Sequence, residues 1–405
     1  MFAVQKLLCM TLTTNAPELT EAQKYAVLSQ RLALNINTTQ YLTSDPVHLM
    51  QSLHEQVANH MRVCAGVGNG IETLYAVASS EPILSEAASF VMRTTPFSMP
   101  SALAHVLSGF SISQGDRGEL LVAALFTCAR DLAVHSKSLP PIGQLCHYFS
   151  VEQLFSSLFS ESQFSSIKKY MPSLYHSETT RVPFGEAFRD SFMHFNHFIK
   201  PQEQRLLSRG YLLLYLARGA ATLVANCQPG FDAVYPFLHG GKDLSRKRVG
   251  FIMVQVKHDS NTSRSTHGVF PSMDPLKCGL IGTSDLEDGH FPIPIIRLLF
   301  LLSKGAPSVT CNRYDLPSGG ATNLGDDGRP LFTSYDIVCS GLSESVFKPL
   351  TDSPDIWAAL MNKSQWASLY QGSVPDIVRA LLPGCGSNEG HWKPWVEGLT
   401  NIINY

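Results

Sequence analysis

Three polar residues stand at the ends of two apolar runs, and their types suit metal-dependent chemistry. Asp232 lies at the start of the run FDAVYPFLH, just past a Pro-Gly turn, and Gln255 and Lys257 lie near the end of GFIMVQVKH. If the runs pair as a hairpin, the three side chains come together. A carboxylate, an amide oxygen and the backbone carbonyl between Gln255 and Lys257 form an oxygen-rich set that suits Mg²⁺ or Mn²⁺. The lysine could then orient an attacking water and offset the charge of a phosphate.

The same residues also have a simpler interpretation. One Asp and one Lys on adjacent strands often form only an ion pair on the surface. Lys257 emerges from an otherwise apolar run, where an unpaired charge would be costly, and this favours a functional role. The residue types and spacing leave both interpretations open.

A basic segment separates the two apolar runs. The sequence KDLSRKRVG contains Lys242, Arg246, Lys247 and Arg248, whereas the whole chain has a formal charge of −2 and a pI near 6.7. A near-neutral protein has no general attraction for nucleic acid, so binding requires a local patch of this kind. We therefore expect these four residues to contact nucleic acid, although a solvated hairpin loop would have the same composition.

Composition excludes several classes of protein. The chain has 405 residues, of which 44% are hydrophobic and 16% charged, as in a globular protein with a large core. Nine cysteines without a CxxC pair argue against a disulfide framework or a zinc ribbon, and favour an intracellular location, nuclear or cytoplasmic. The longest apolar runs are about ten residues, and a bilayer requires roughly 20, so we expect no membrane span. The N-terminus does not resemble a signal peptide.

Hydrophobic periodicity divides the chain into three regions. Residues 1–110 carry apolar residues at three- and four-residue spacing, which predicts helices. Residues 111–345 contain short β-branched and aromatic runs, which predict a core sheet with a helical insertion at about 137–200. Residues 346–405 return to a helical pattern. We therefore predict an α/β (α+β) fold, with a central mixed sheet, a large helical N-terminal region and a helical C-terminal tail.

At Asp232 and the triplet QVK, residues 255–257, the chain resembles the PD-(D/E)XK nuclease superfamily. The pattern of that superfamily is an Asp opening one core strand and a (D/E/Q)-x-K triplet on the next strand. The wider sequence, including GDRGELLVAALFTCARD, GFDAVYPF, FIMVQVKH and YDIVCSGL, resembles a large family of mushroom-forming fungi that is associated with mobile elements and Crinkler-like proteins. The first resemblance covers mainly residues 219–260, and the second covers most of the chain.

The nuclease resemblance implies a restriction-endonuclease-like fold, a divalent metal ion and hydrolysis of phosphodiester bonds, with DNA favoured over RNA. Gln255 stands where the superfamily usually has an acidic residue, and the lost charge weakens metal affinity. The superfamily also places a glutamate on the helix before the sheet. Glu119 in GDRGELLVA is our first choice as a further metal ligand or orienting acid, although with Asp116 it also fits a capping box. Glu203, at a predicted helix N-terminus, is the alternative.

Three functions are compatible with these features. The leading hypothesis is a metal-dependent nuclease in which Asp232, Gln255 and Glu119 hold Mg²⁺ or Mn²⁺ and Lys257 assists the water. The second is a catalytically degenerate nuclease-fold module that binds nucleic acid or a protein partner. The third is an interaction scaffold in which Asp232 and Lys257 simply pair. A further domain upstream of the sequence could also complete the protein.

Overall fold

A central mixed sheet organises the chain in the computed structural model. The structure describes residues 2–10, 18–32, 34, 36–37, 46–67, 74–108, 114–134, 147–201, 203–224, 230–257, 268–287, 289–302, 306–312, 324–325 and 328–362. Its helices are α1 (Phe2–Leu8), α2 (Glu21–Leu32), α3 (Pro46–Asn59), α4 (Pro82–Thr94), α5 (Met99–Ser108), α6 (Gln114–Val134), α7 (Val151–Leu158), α8 (Glu161–Ile167), α9 (Phe184–Ala187), α10 (Arg209–Ala217), α11 (Val269–Ser272) and α12 (Pro354–Asn362). Its strands are β1 (Ile36–Asn37), β2 (Arg62–Val67), β3 (Leu74–Ala78), β4 (Phe149–Ser150), β5 (Ser191–Met193), β6 (His197–Ile199), β7 (Ala220–Leu223), β8 (Ala233–His239), β9 (Val249–Lys257), β10 (Phe291–Leu301), β11 (Ser308–Cys311) and β12 (Phe332–Ser340).

Within the described residues the main sheet has nine strands. Their order is β11-β12-β10-β9-β8-β5-β4, with β7 also paired to β8 and β6 paired to β7. β7, β8 and β9 form an antiparallel meander. β9, β10 and β12 run parallel to one another. The prediction of an α/β fold with a central mixed sheet is therefore confirmed.

The middle strands of this sheet are apolar because both of their faces are covered. β12 is buried along its whole length, and β9 is buried from Val249 to Gln255. Such near-continuous apolar runs are typical of strands that run parallel and lie between helical layers. Only the last two residues of β9, Val256 and Lys257, are partly exposed, which places the polar end of the strand near solvent.

Side-chain alternation assigns the residues of the β8–β9 hairpin to two faces. Tyr235 pairs with Ile252, and its ring stacks on Phe126 of α6 with 4.3 Å between the ring centroids. We call this side of the sheet the α6 face. Phe251 points to the other side, where it stacks on Phe291. The guanidinium of Arg209 in α10 lies 4.6 Å from the Phe291 ring centroid, so we call this side the α10 face.

A buried charged network joins the N-terminal helices to the core. Arg31 of α2 donates two hydrogen bonds of 2.9 Å to the carboxylate of Asp131 in α6. Arg130 donates to Glu86 of α4 at 2.9 Å and to the backbone carbonyl of Phe195 at 2.9 Å. Burial alone would raise the pKa of Asp131, but the guanidinium groups of Arg31 and Arg130 hold it well below its ordinary value. These ion pairs and hydrogen bonds therefore connect α2 and α4 to α6, and α6 to the segment before β6.

Two regions contain strands that the sequence did not predict. The region 1–110 contains α1 to α5, as expected, but also a separate antiparallel sheet in the order β1-β3-β2. The region predicted as a helical insertion, about 137–200, contains α7 to α9 and contributes β4, β5 and β6 to the main sheet. β4, β5 and β6 are two or three residues long, which is too short for the two-residue alternation of a strand to be recognised.

Glu203, at a predicted helix N-terminus, precedes a 3-10 turn and not an α-helix. A 3-10 turn occupies Gln204–Leu207, and α10 begins only at Arg209. α10 ends before Gly219, which has a φ of 68° and follows the last turn as a C′ glycine. The helix therefore leads directly into β7.

The described part of the C-terminal region contains one α-helix. α12 lies in the expected helical tail, and residues 363–405 of that tail lie outside the described residues. Among the helices of the described residues, none combines the length and the apolar character that crossing a membrane requires.

Candidate active site on the β8–β9 hairpin

The hairpin brings Asp232, Gln255 and Lys257 together on the α10 face. Ala233 pairs with Val254, so Asp232, one residue earlier, lies opposite Gln255. The side chain of Gln255 donates a hydrogen bond from Nε2 to Asp232 Oδ2 at 2.6 Å. Lys257 lies two residues farther along β9 and points to the same face. The three side chains grouped from the sequence are therefore neighbours in the structure.

The Asp232 carboxylate ends the hydrogen-bond ladder between the two strands. Its Oδ2 accepts a second hydrogen bond, from the N–H of Val256 at 2.6 Å. The N–H of Asp232 donates to the carbonyl of Val254 at 2.7 Å. The turn before β8 depends on Gly230, which has a φ of 105° and whose added Cβ would lie 2.5 Å from the Ser272 carbonyl oxygen. The close contact of Gly230 with Ser272 fixes the position of the chain just before β8. At that position the Asp232 side chain accepts the hydrogen bond from the N–H of Val256.

The environment of Asp232 disfavours its charged form. The carboxyl group is half-buried, and burial raises its pKa to about 6. The hydrogen bonds from Val256 and Gln255 and the positive charge of Lys257 act in the opposite direction without cancelling the effect of burial. Perturbed carboxyl groups of this kind concentrate at functional sites. At pH 7 to 8 Asp232 is mostly ionised, so a bound cation would stabilise it.

We expect Asp232→Asn to stabilise the metal-free protein at high pH. The asparagine keeps an oxygen for the N–H of Val256 but carries no charge. In the native protein the carboxyl ionises near pH 6, above its ordinary value of 3.8, so the stability contributed by this group is present below about pH 4 and is lost as the pH rises to about 6. The melting temperature of Asp232→Asn should therefore exceed that of wild type increasingly over this range, by the equivalent of about 3 kcal/mol above pH 6.

Melting curves between pH 4 and pH 8 in the presence of EDTA measure this difference. Asp243→Asn is the matched control, because the side chain of Asp243 is 86% exposed and lies in the hairpin turn. The control should show no such dependence on pH. A constant difference between Asp232→Asn and wild type at all pH values would contradict a raised pKa for Asp232.

The two candidate glutamates lie apart from this group. The carboxylate of Asp232 interacts, among the described residues, with Gln255, Val256 and Lys257. Glu119 is on α6, the helix that packs on the other face of the sheet through Phe126. Because α6 begins at Gln114, Asp116 is inside the helix and the capping-box interpretation of Glu119 is wrong. A role for Glu119 at the metal stays a prediction that would require it to reach around the sheet.

Glu203, the alternative, has a surface environment. It precedes the 3-10 turn before α10 and is exposed. Its carboxylate accepts a hydrogen bond from Nη2 of Arg205 at 3.2 Å and also pairs with Nε of that arginine. Local pairing therefore explains Glu203 without a catalytic role.

The predicted basic cluster occupies the turn of the hairpin, at the opposite end from Asp232. β8 spans seven residues, so six rises of about 3.4 Å separate its ends by roughly 20 Å. Arg246 pairs with Asp285 at 3.3 Å, and Arg248 pairs with Asp243 at 3.4 Å. Lys247 is exposed. These cations therefore cannot contact the same phosphate as Asp232, and only an extended nucleic acid could reach both places.

A buried ion pair beside the site was not identified from the sequence. Arg297 of β10 donates from Nε and Nη2 to the two carboxylate oxygens of Asp336 in β12, at 2.7 and 2.5 Å. Its Nη1 donates to the backbone carbonyl of Phe270 at 2.8 Å, which holds α11 on the α10 face. Arg297 could have been recognised in the same way as Lys257, because each is a charged residue within an apolar run. Applied to IIRLLFLL, this criterion would have predicted a buried partner for Arg297.

The groups around Asp232 supply oxygen ligands for a hard divalent cation but little negative charge. The Asp232 carboxylate, the Gln255 amide and the Val256 carbonyl supply oxygen atoms, which Mg²⁺ prefers. Only one of the three carries a charge, and Gln255 presents an N–H to Asp232. Within the described residues no group of three or more His, Cys, Asp or Glu side chains is arranged to hold a metal ion. We therefore expect weak metal binding.

Comparison of the chain with protein-family models, with curated proteins and with solved structures found no match. Its activity must therefore be inferred from the chemistry of its own residues.

Proposed function

We propose that this protein hydrolyses phosphodiester bonds in nucleic acid with the help of Mg²⁺ or Mn²⁺, at a PD-(D/E)XK-like site in a restriction-endonuclease-like sheet. The main support for this proposal is the arrangement of three residues at one end of the hairpin. Asp232 immediately precedes β8, and it meets Gln255 and Lys257 at the end of the adjacent antiparallel strand β9. This is the arrangement that the Asp and (D/E/Q)-x-K pattern requires.

Each of the three residues has a distinct part in the proposed reaction. Asp232 and Gln255 hold the cation, which supplies positive charge to the phosphodiester during hydrolysis. Lys257 orients the attacking water and offsets negative charge on the phosphate. Its ammonium is partly exposed at the end of an apolar strand, so it can reach substrate while burial keeps its stem in place.

A catalytically degenerate module that binds nucleic acid or a protein partner is the second candidate. The observation that favours it is the hydrogen bonding of Asp232, whose Oδ2 already accepts from Gln255 and from Val256. These two bonds hold Oδ2 in place without a metal ion. Such a module would bind substrate without cleaving it.

Incubation of the purified protein with plasmid and single-stranded substrates, in Mg²⁺, Mn²⁺ and EDTA in parallel, separates the candidates. The proposed nuclease cleaves with either metal ion and not in EDTA. Binding without cleavage in all three conditions would support the degenerate module instead.

We expect Gln255→Glu to increase the affinity for Mn²⁺ about tenfold or more. The substitution adds a second charged oxygen donor beside Asp232, and charge on the ligands raises the affinity of hard cations. Isothermal titration with Mn²⁺ at pH 7.5 measures the two dissociation constants. Gln255→Leu provides the matched control, since it removes the oxygen donor and should abolish detectable binding. Equal affinity of the three proteins would place any bound metal elsewhere.

A further inference from the structure

A cavity opens on the α10 face at the turn end of the β8–β9 hairpin. Its volume is about 220 Å³, and its lining is mostly apolar. The rings of Tyr148 and Phe192 line it together with the side chains of Leu216 and Leu238. Clefts for drug-sized ligands have volumes of roughly 300–1,000 Å³, so this smaller cavity suits a single ring system.

The entrance of the cavity is positively charged. Lys242 Nζ lies 4.3 Å from the ring centroid of Tyr148 and 4.9 Å from that of Phe192. It also donates a hydrogen bond to the Tyr148 hydroxyl at 2.7 Å. The same turn carries Arg246, Lys247 and Arg248, of which Arg246 pairs with Asp285 and Arg248 pairs with Asp243. An apolar cavity behind a cationic entrance is complementary to a ring attached to an anion.

The aromatic residue at this entrance is unusually accessible. Tyr148 is 58% exposed, and Leu244 beside it is 62% exposed, so apolar surface that a folded chain ordinarily buries faces the solvent here. Proteins that bind single strands combine exposed aromatic rings, on which bases stack, with cations that follow the backbone. Both components are present within one hairpin turn and its neighbours.

We propose that this cavity binds one unstacked base of a single-stranded nucleic acid, with the adjoining phosphate at Lys242. The inference rests on the proposed function, because it names the form of nucleic acid that the nuclease takes. A base in a duplex is stacked and paired and cannot enter the cavity. The base replaces the Lys242 ammonium on the Tyr148 ring, and the ammonium moves to the phosphate.

The position of the cavity relative to Asp232 agrees with a single extended substrate. Leu238, which lines the cavity, and Asp232 both point to the α10 face, because they are six residues apart on one strand. The two ends of β8 lie roughly 20 Å apart, a distance that an extended single strand of several nucleotides can span. A strand anchored at the cavity can therefore reach the cluster around Asp232.

Fluorescence anisotropy with a labelled single-stranded oligonucleotide in EDTA tests this inference without any cleavage. Tyr148→Ala should weaken binding about five- to a hundredfold, the effect of losing one stacked base. Tyr148→Phe keeps the ring and should bind within about twofold of wild type. Tyr211→Ala is the matched control, because Tyr211 is also exposed, at 40%, but does not line the cavity. Binding to a duplex of the same sequence should change less than twofold in all variants.

Two results would overturn the inference. Wild-type affinity of Tyr148→Ala for the single strand would show that no base uses this ring. An equal loss for single strand and duplex in Tyr148→Ala would show a contact with the phosphate backbone only. Because the assay measures binding, a protein that binds through Tyr148 but never cleaves would refute the nuclease and leave the base-binding cavity intact. Cleavage by Tyr148→Ala at the wild-type rate would support the nuclease and refute the base-binding cavity.

Discussion

Lys257→Met is expected to lower the rate of metal-dependent cleavage about a hundredfold or more, while metal binding and folding stay intact. Methionine keeps the length of the aliphatic stem but removes the ammonium, so the end of β9 packs as before. Positioned groups that assist proton transfer or stabilise charge in a reaction contribute factors of about 10² to 10⁴. The measurement is the single-turnover cleavage rate at saturating Mn²⁺ and saturating substrate.

Lys169→Ala is the matched control for this experiment. Lys169 follows α8, is exposed, and is far from β9 in sequence. Its substitution should leave the rate within about twofold of wild type. If Lys257→Met cleaves at the wild-type rate, Lys257 takes no part in the chemistry and the ion-pair interpretation of this residue gains weight. Titration with Mn²⁺ gives the dissociation constant of each protein, so that saturation with metal is ensured when the two rates are compared.

The largest loss of stability is expected from breaking the buried pair of Arg297 and Asp336. Their side chains are 2% and 0% exposed, and two hydrogen bonds join them. Asp336→Val removes the carboxylate that compensates the charge of the buried guanidinium, and such a loss typically costs about 3–5 kcal/mol. Denaturant unfolding monitored by circular dichroism measures the free energy of unfolding for wild type and variant.

Two further variants distinguish the loss of the buried charge pair from other effects of the substitution. The double variant Arg297→Met, Asp336→Val replaces both charges by apolar side chains, so it should recover much of the lost free energy. Glu21→Ala breaks the exposed pair of Lys24 and Glu21 and should change the free energy of unfolding by less than about 1 kcal/mol. A loss in Asp336→Val no larger than that in Glu21→Ala would contradict a stabilising role for the buried pair.

The hairpin and its polar end could be predicted because the relevant signals are local. The runs that form β8 and β9 are apolar, with Asp232 just before the first strand and Gln255 and Lys257 near the end of the second. Pairing them antiparallel brings Asp232 next to Gln255. The same pairing places the basic turn with Lys242 and its neighbours at the opposite end of the hairpin from Asp232.

β10 shows why sequence periodicity was insufficient elsewhere. Its sequence FPIPIIRLLFL contains Pro292 and Pro294, and proline is rare within central strands because it lacks an N–H donor. The structure accommodates them by a register irregularity between Phe291 and Ile295, where the pairing with β12 is interrupted. Beyond the prolines the strand pairs regularly on both sides. This register irregularity depends on the pairing with neighbouring strands, so it could not be predicted from the sequence of β10 alone.

The position of Glu119 illustrates a second limit. A helical pattern identifies which side of α6 is apolar, but it does not determine which face of the sheet that side covers. Phe126 packs on Tyr235, so α6 covers the face opposite to the side chains of Asp232 and Lys257. A sheet with two covered faces offers two such positions, and only long-range packing selects between them.

The central claim is that Asp232 holds the metal ion on which phosphodiester hydrolysis depends. The most direct measurement compares cleavage of one labelled single-stranded oligonucleotide by wild type and by Asp232→Asn at pH 8, in Mn²⁺ and in EDTA. We predict cleavage by wild type in Mn²⁺ only, and none by Asp232→Asn, although the variant melts at a higher temperature in EDTA. Cleavage by Asp232→Asn at the wild-type rate, or cleavage by wild type that persists in EDTA, would contradict the claim.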